Sequence, residues 1–186
     1  MKHLKIALLA LLLIVSYSNA NAQDKENPWM LNAGTNLIDI VDGESGNIIP
    51  WLSKISVSRF LGSGFSLELA GSTNKIERPW SPGADVTFAA VDLNVKFDLN
   101  PNSESWFDPH LFAGVGENWV GVENGLGLNL GLGINSWITK EVGINLSTQY
   151  KSVNTSNDFK MWQHSVGVVW RFGKSDTDGD GIRDKD

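Results

Sequence analysis

Residues 161–172, MWQHSVGVVWRF, alternate with a period of two. Trp162, His164, Val166, Val168, Trp170 and Phe172 fall in one row, mostly apolar with an aromatic at each end. Gln163, Ser165, Gly167, Val169 and Arg171 fall in the other, mostly small or polar. Only an extended strand with two unlike faces has this period. Eight steps of about 3.3 Å, tilted near 40°, carry the chain from Trp162 to Trp170 over a height of roughly 20 Å. That height fits between the two aromatic girdles of a membrane-spanning strand.

Seven earlier segments repeat the scheme. The pattern predicts strands at about Trp29–Val41, Trp51–Leu61, from Phe65, Val86–Leu99 and Phe107–Trp119, and then around Leu126–Asn135 and Val142–Tyr150. Asp42–Asn47, Gly62-Ser63-Gly64 and Asn100-Pro101-Asn102 punctuate them, being rich in turn-forming residues. Thr73–Asp85, with two prolines and Gly83, reads as the longest loop, and Ser152–Phe159 as another. Strands in simple succession, joined by short links, describe an all-β, eight-stranded, antiparallel up-and-down barrel.

Its surroundings follow from which row faces out. The polar rows of the last three strands are Gly, Asn, Ser and Gln, without the Lys and Glu of a solvated face. Eight strands enclose a lumen only wide enough for their own side chains, which suits small polar residues, and the even Leu, Val and Ile rows suit lipid. Trp29, Trp106, Trp137 and Trp170 fall at one end of the meander and Trp51, Trp119 and Trp162 at the other, as two interfacial belts require. The reading is a transmembrane barrel over 29–173, located in the bacterial outer membrane with lipid as its first partner. A soluble barrel with its apolar rows inside is the alternative.

Residues 1–22 stand apart: Lys2 and Lys5, an apolar run from Ile6 to Val15, and Ala20-Asn21-Ala22 make a secretory signal. Residues 23–28 are a short lead. Removing the signal takes two of the 15 Lys and Arg and none of the 21 acids, leaving a mature net charge of −8. Such a surface disfavours nucleic acid as a partner. The chain has no Cys, so neither a disulfide nor a cysteine-linked lipid anchor is available.

Charges in rows expected to face the lumen are Glu68, Asp92, Lys96, Glu141, Lys151 and Arg171, with Lys54 and Arg59 as further candidates. In a narrow interior they must pair or be hydrogen-bonded. A polar plug that fixes register is the expectation, a gated ion path the alternative. Catalysis is not expected. His110 follows Pro109 at a strand start, and His164 and Ser165 point to opposite faces, so no nucleophile, base and orienting acid converge. The richest external surface is expected at Lys75, Glu77, Arg78 and Trp80.

The C-terminal DTDGDGIRDKD, residues 176–186, matches the first half of a calcium loop. Asp176, Asp178 and Asp180 would be side-chain ligands and Ile182 a carbonyl ligand. The twelfth position, which takes a bidentate acid, falls at 187, so Asp184 or Asp186 would have to substitute. Calcium is the only cofactor suggested, and the barrel requires none.

The signal, the eight strands, the closing GVVWRFG and the Asp-rich tail together resemble the N-terminal barrel of the OmpA family as found in Bacteroidetes-type bacteria. The resemblance implies that 174–186 begin a thrombospondin type 3-like calcium-binding linker. It further implies a downstream periplasmic domain, not within this chain, that binds peptidoglycan. The role expected is structural: the barrel anchors the protein in the outer membrane and hands a linker toward the cell wall. A docking subunit for other outer-membrane proteins and a small ion-conducting pore are the alternatives.

Overall fold

The computed structural model describes residues 28–41, 52–77, 85–99, 106–139, 141–156 and 158–173. Its strands are β1 (Trp29–Ile40), β2 (Lys54–Gly62), β3 (Phe65–Glu77), β4 (Asp85–Asp98), β5 (Phe107–Val120), β6 (Glu123–Trp137), β7 (Val142–Asn154) and β8 (Phe159–Phe172). They follow one another in chain order around a closed barrel, and β8 returns to β1. The closing seam runs from Trp29 opposite Phe172 to Ile40 opposite Met161. Closure pairs the outer strands with each other and leaves no edge, the condition for a sheet in hydrocarbon. Among the described residues no helix is long and apolar enough to cross a membrane.

The alternation resolves as expected. Leu128, Leu130, Leu132, Ile144 and Leu146 are all exposed on the outer wall, Leu130 by 66%. Between them Asn129, Asn135, Asn145 and Gln149 are buried in the lumen. At the rim bearing both strand termini, aromatic pairs cluster, Phe65 with Phe97 at 4.8 Å and Trp170 with Phe172 at 4.9 Å between centroids. Toward the opposite rim Tyr150 meets Trp162 edge-on at 5.2 Å, and Trp119 is exposed. Trp51 lies outside the described residues. Trp137 departs from the expected belt: it carries the inward register of β6 and packs against Arg171, whose guanidinium carbon is 4.3 Å from the ring centroid.

Several strands run further than their composition suggests. Thr73–Glu77 continues β3, paired residue by residue with Asp85–Ala89, so both ends of the expected Thr73–Asp85 loop belong to strands. β7 extends through Asn154 with Val153 buried opposite Phe159, which shortens the Ser152–Phe159 loop. Ladder bonds and inward burial override weak local preference here. The Gly62-Ser63-Gly64 link is as tight as expected: Gly62 and Gly64 take φ of +120° and +80°, values that only glycine adopts freely, and Ser63 between them takes +53°.

Side chains extend the stitching where the β1–β2 pairing ends at Gly34 opposite Lys54. The Asn36 amide nitrogen donates to the Ser53 carbonyl at 2.8 Å and to the Thr73 carbonyl at 3.2 Å. The Asn74 amide donates to the backbone and side-chain oxygens of Asn36 at 3.1 and 3.0 Å. Both asparagines are almost fully buried, so each lost bond strands a polar group.

The outward placement of Leu130, midway along β6, yields a prediction. Leu130→Arg should destabilise the inserted barrel by about 2–4 kcal/mol, whereas Val122→Arg in the fully exposed β5–β6 turn should change it little. Reversible denaturant unfolding in vesicles, followed by tryptophan fluorescence, measures both; equal effects would contradict the orientation.

Candidate functional site

The lumen holds most of the charged side chains singled out from the sequence, and it is layered along the barrel axis. In the half away from the termini, apolar residues converge from β1, β3, β4, β5, β7 and β8. Ile38, Ile76, Phe88, Val120, Val153 and Met161 are each no more than 1% exposed and form one cluster. These apolar residues occupy inward positions, so the expected polar plug fills only part of the lumen: this half is closed by a hydrocarbon stopper.

Below the stopper lies the charged layer. Lys151 on β7 reaches across the lumen to Asp92 on β4, with its Nζ 2.8 and 2.9 Å from the two carboxylate oxygens. Neither side chain is more than 2% exposed. Asn129 on β6 donates to Asp92 at 3.0 Å and to the Asn94 side chain at 3.3 Å. Asn94 in turn donates to Glu68 at 3.1 Å, and Ser56 donates to the second Glu68 oxygen at 3.1 Å. Lys96 stands 3.5 Å from that same oxygen. Lys54 donates to the Ser165 hydroxyl at 3.0 Å, and Ser165 shares a 2.8 Å bond with Ser147.

Glycines make these crossings possible. Gly114 and Gly116 lie on β5, between the strands that Asn129 and Asp92 occupy. A methyl group at Gly116 would run into the Asp92 carboxylate, and one at Gly114 into Asn94. On β6, Gly131 and Gly133 leave the room taken by Phe112 and His110. Short positions opposite long ones fill the lumen as a jigsaw rather than as an even lining.

Nearer the termini an asparagine ladder spans four strands. Asn32 donates to Asn145 at 3.1 Å, Asn145 to Asn135 at 2.7 Å, and Asn135 to the Asp108 carboxylate at 3.2 Å.

Of the expected lumen charges, Lys54, Glu68, Asp92, Lys96 and Lys151 are buried inside. Arg171 keeps the inward register at the terminal rim beside Trp137. Two placements are corrected. Glu141 is exposed in the β6–β7 turn, because β7 starts one residue later. Arg59 falls in the outward row, five residues from Lys54, and lies 5.3 Å from the Trp29 ring centroid. His110, expected at a strand start, is buried in the lumen beside Phe112. His164 faces outward with its Nδ1 2.8 Å from the Thr148 hydroxyl, so the two histidines share no site. Lys75 is exposed, whereas Arg78, Trp80 and the whole tail with Asp176, Asp178, Asp180, Ile182, Asp184 and Asp186 lie outside the described residues. Among the described residues no group of three or more His, Asp or Glu could hold a metal ion.

The Lys151–Asp92 crossing yields a prediction. Lys151→Met should cost about 3–5 kcal/mol of stability, because Asp92 is left buried and unpaired. Adding Asp92→Asn should recover most of that loss. A double-mutant cycle by equilibrium unfolding reads the coupling, and strictly additive losses would show that the two residues act separately.

Comparison with known proteins agrees with this architecture. Residues 7–172 match the model of the outer membrane protein beta-barrel domain. Neisserial surface protein A is similar in structure, with a TM-score of 0.59 at 16% identity over 77% of this chain and 96% of its own. OprG from Pseudomonas aeruginosa gives 0.59 at 13% identity over 82% and 99%. The N-terminal β-barrel domain of OprF from the same organism gives 0.52 at 14% over 77% and 97%. No curated protein matches. At such identities the structures speak for the fold; the family match covers nearly the whole of it, and the chain belongs to the outer membrane protein β-barrel domain family, seated in the bacterial outer membrane.

Proposed function

We propose that the barrel is a non-conducting anchor, held in the outer membrane by its outer wall and passing its C-terminal segment into the periplasm. The filled lumen carries this reading. A pore needs a continuous wet path, and here an apolar stopper covers a charged layer whose members reach one another directly. In an eight-stranded barrel little volume is left beyond the side chains themselves.

Where the chain leaves the barrel also supports it. Trp29 pairs with Phe172, and at Gly173, with φ of +102°, an added methyl group would meet Trp29 and Pro28. Entry and exit therefore share one rim, which the anchor reading places on the periplasmic side. The resemblance to the OmpA family, and the likeness to a barrel described as an N-terminal domain, favour a chain in which the barrel hands over to something beneath. On this reading residues 1–22 are the export signal, residues 174–186 start the linker, and the cell wall is reached through a downstream domain. Asp176, Asp178 and Asp180, with Ile182 and Asp184, would hold calcium and stiffen the linker.

Two measurements test these statements. Planar-bilayer recording of the purified protein should give no reproducible unitary conductance; regular steps would replace the anchor with a pore. Calorimetric titration of the full chain with calcium should show binding only in the weak range of about 10⁻⁴–10⁻³ M, abolished by Asp178→Asn with Asp180→Asn. Heat signals identical in that double variant would remove the tail as a calcium site.

A further inference from the structure

On the lipid-facing wall a groove of about 420 Å³ crosses β6, β7, β8 and β1. At one height Leu132, Thr148, His164 and Leu37 stand side by side on the four strands, and Val166 pairs with Thr35 in the next outward row toward the termini. A wall facing hydrocarbon has little use for the polar pair His164 and Thr148, since a polar group without a partner is costly there. Thr148 and His164 relieve part of that cost by bonding each other at 2.8 Å.

That bond satisfies one ring nitrogen. The other, Nε2, has no partner among the described residues. If Nδ1 accepts from Thr148, Nε2 carries a proton to donate; if Nδ1 donates, Nε2 is an acceptor. A hydroxyl can answer either state, whereas an ester carbonyl answers only the first. The imidazole is held nearly parallel to the Trp162 indole, 4° between planes and 6.4 Å between centroids, so Nε2 has a fixed aim.

Height narrows the ligand. Trp162 and Tyr150 mark the interface at the rim away from the termini. His164 lies two residues further in, about 5 Å deeper at this tilt. This is the level of the first few carbons of an acyl chain. One outward position above Trp162, Lys160 is exposed at headgroup height, so an anionic headgroup suits the rim.

We propose that this groove seats an acyl chain of an outer-leaflet lipid, one that bears a hydroxyl near its headgroup end, with the headgroup phosphate directed to Lys160. The chain lies along the Leu and Val walls, and its hydroxyl completes the His164 imidazole. The inference rests on the termini being periplasmic and not on a tether to the wall, so its failure would leave the anchor reading standing.

Native mass spectrometry of the full chain in detergent micelles tests it, with two probes: phosphatidylglycerol carrying 3-hydroxymyristoyl chains, and phosphatidylglycerol carrying plain myristoyl chains. The wild type should retain the hydroxylated probe about tenfold more tightly, the worth of one well-made hydrogen bond. His164→Leu should abolish that preference while still holding the plain lipid, and His164→Gln, which keeps a hydrogen-bonding side chain, should preserve part of it. Lys160→Ala should weaken both probes. Tryptophan-monitored unfolding confirms that each variant is folded. Equal retention of the two probes by the wild type, or a preference that survives His164→Leu, would overturn the proposal. So would protein-only dimers that His164→Leu dissolves, since the groove would then seat a second copy.

Discussion

Hydrocarbon offers a peptide group nothing to bond with, and every other feature of this barrel follows from that. An open sheet would present two rows of unpaired N–H and C=O groups to the bilayer, each costing several kcal/mol. The uninterrupted pairing of β1 with β8 removes both rows at once. Once the ring closes, each residue must face either lipid or a lumen about as wide as two side chains.

The lumen then has to solve its own polarity. Five buried charges cannot reach bulk water, so they turn to one another and to amides and hydroxyls. Strands that are not neighbours meet through β5, whose Gly114 and Gly116 leave space for Asn129 and Asp92 to touch. The apolar stopper near the far rim adds burial and shields this network from water. A lumen built in this way resists opening, since moving one strand would strand several polar groups together. Rigidity of that kind suits the anchor role we propose. On the outer wall, His164, Thr148 and Thr35 interrupt the Leu, Val and Ile rows within one groove.

Much of this was legible in the chain because a strand's period is so short. Within any one segment, parity alone separates Leu130 from Asn129 and Val95 from Lys96. Parity also excludes Arg59 from the row of Lys54, an odd number of residues away, and the charge of Arg59 is a poor reason to override it. Parity lost its voice where both rows are apolar or both polar. Leu37-Ile38 and Phe88 to Val91 carry no alternation, so the stopper was hidden. Thr73–Glu77 looks like a loop because its strand character comes from the partner at Asp85–Ala89. Glu141 was misplaced by a single residue at a strand boundary.

The sequence by itself determined the number of strands, the face of most side chains, the two aromatic rims and the membrane as solvent. These depend on the spacing of residues two apart, which residue order records directly. Only the tertiary structure decided that Lys151 meets Asp92 across 59 residues, that glycines on β5 open the way for Asn129, and that apolar side chains stop one half of the lumen. It alone placed His164 beside Thr148 in a groove of the outer wall. Such partnerships are set by the stagger of eight strands around a ring, and stagger is a property of the closed ladder, invisible in any one segment.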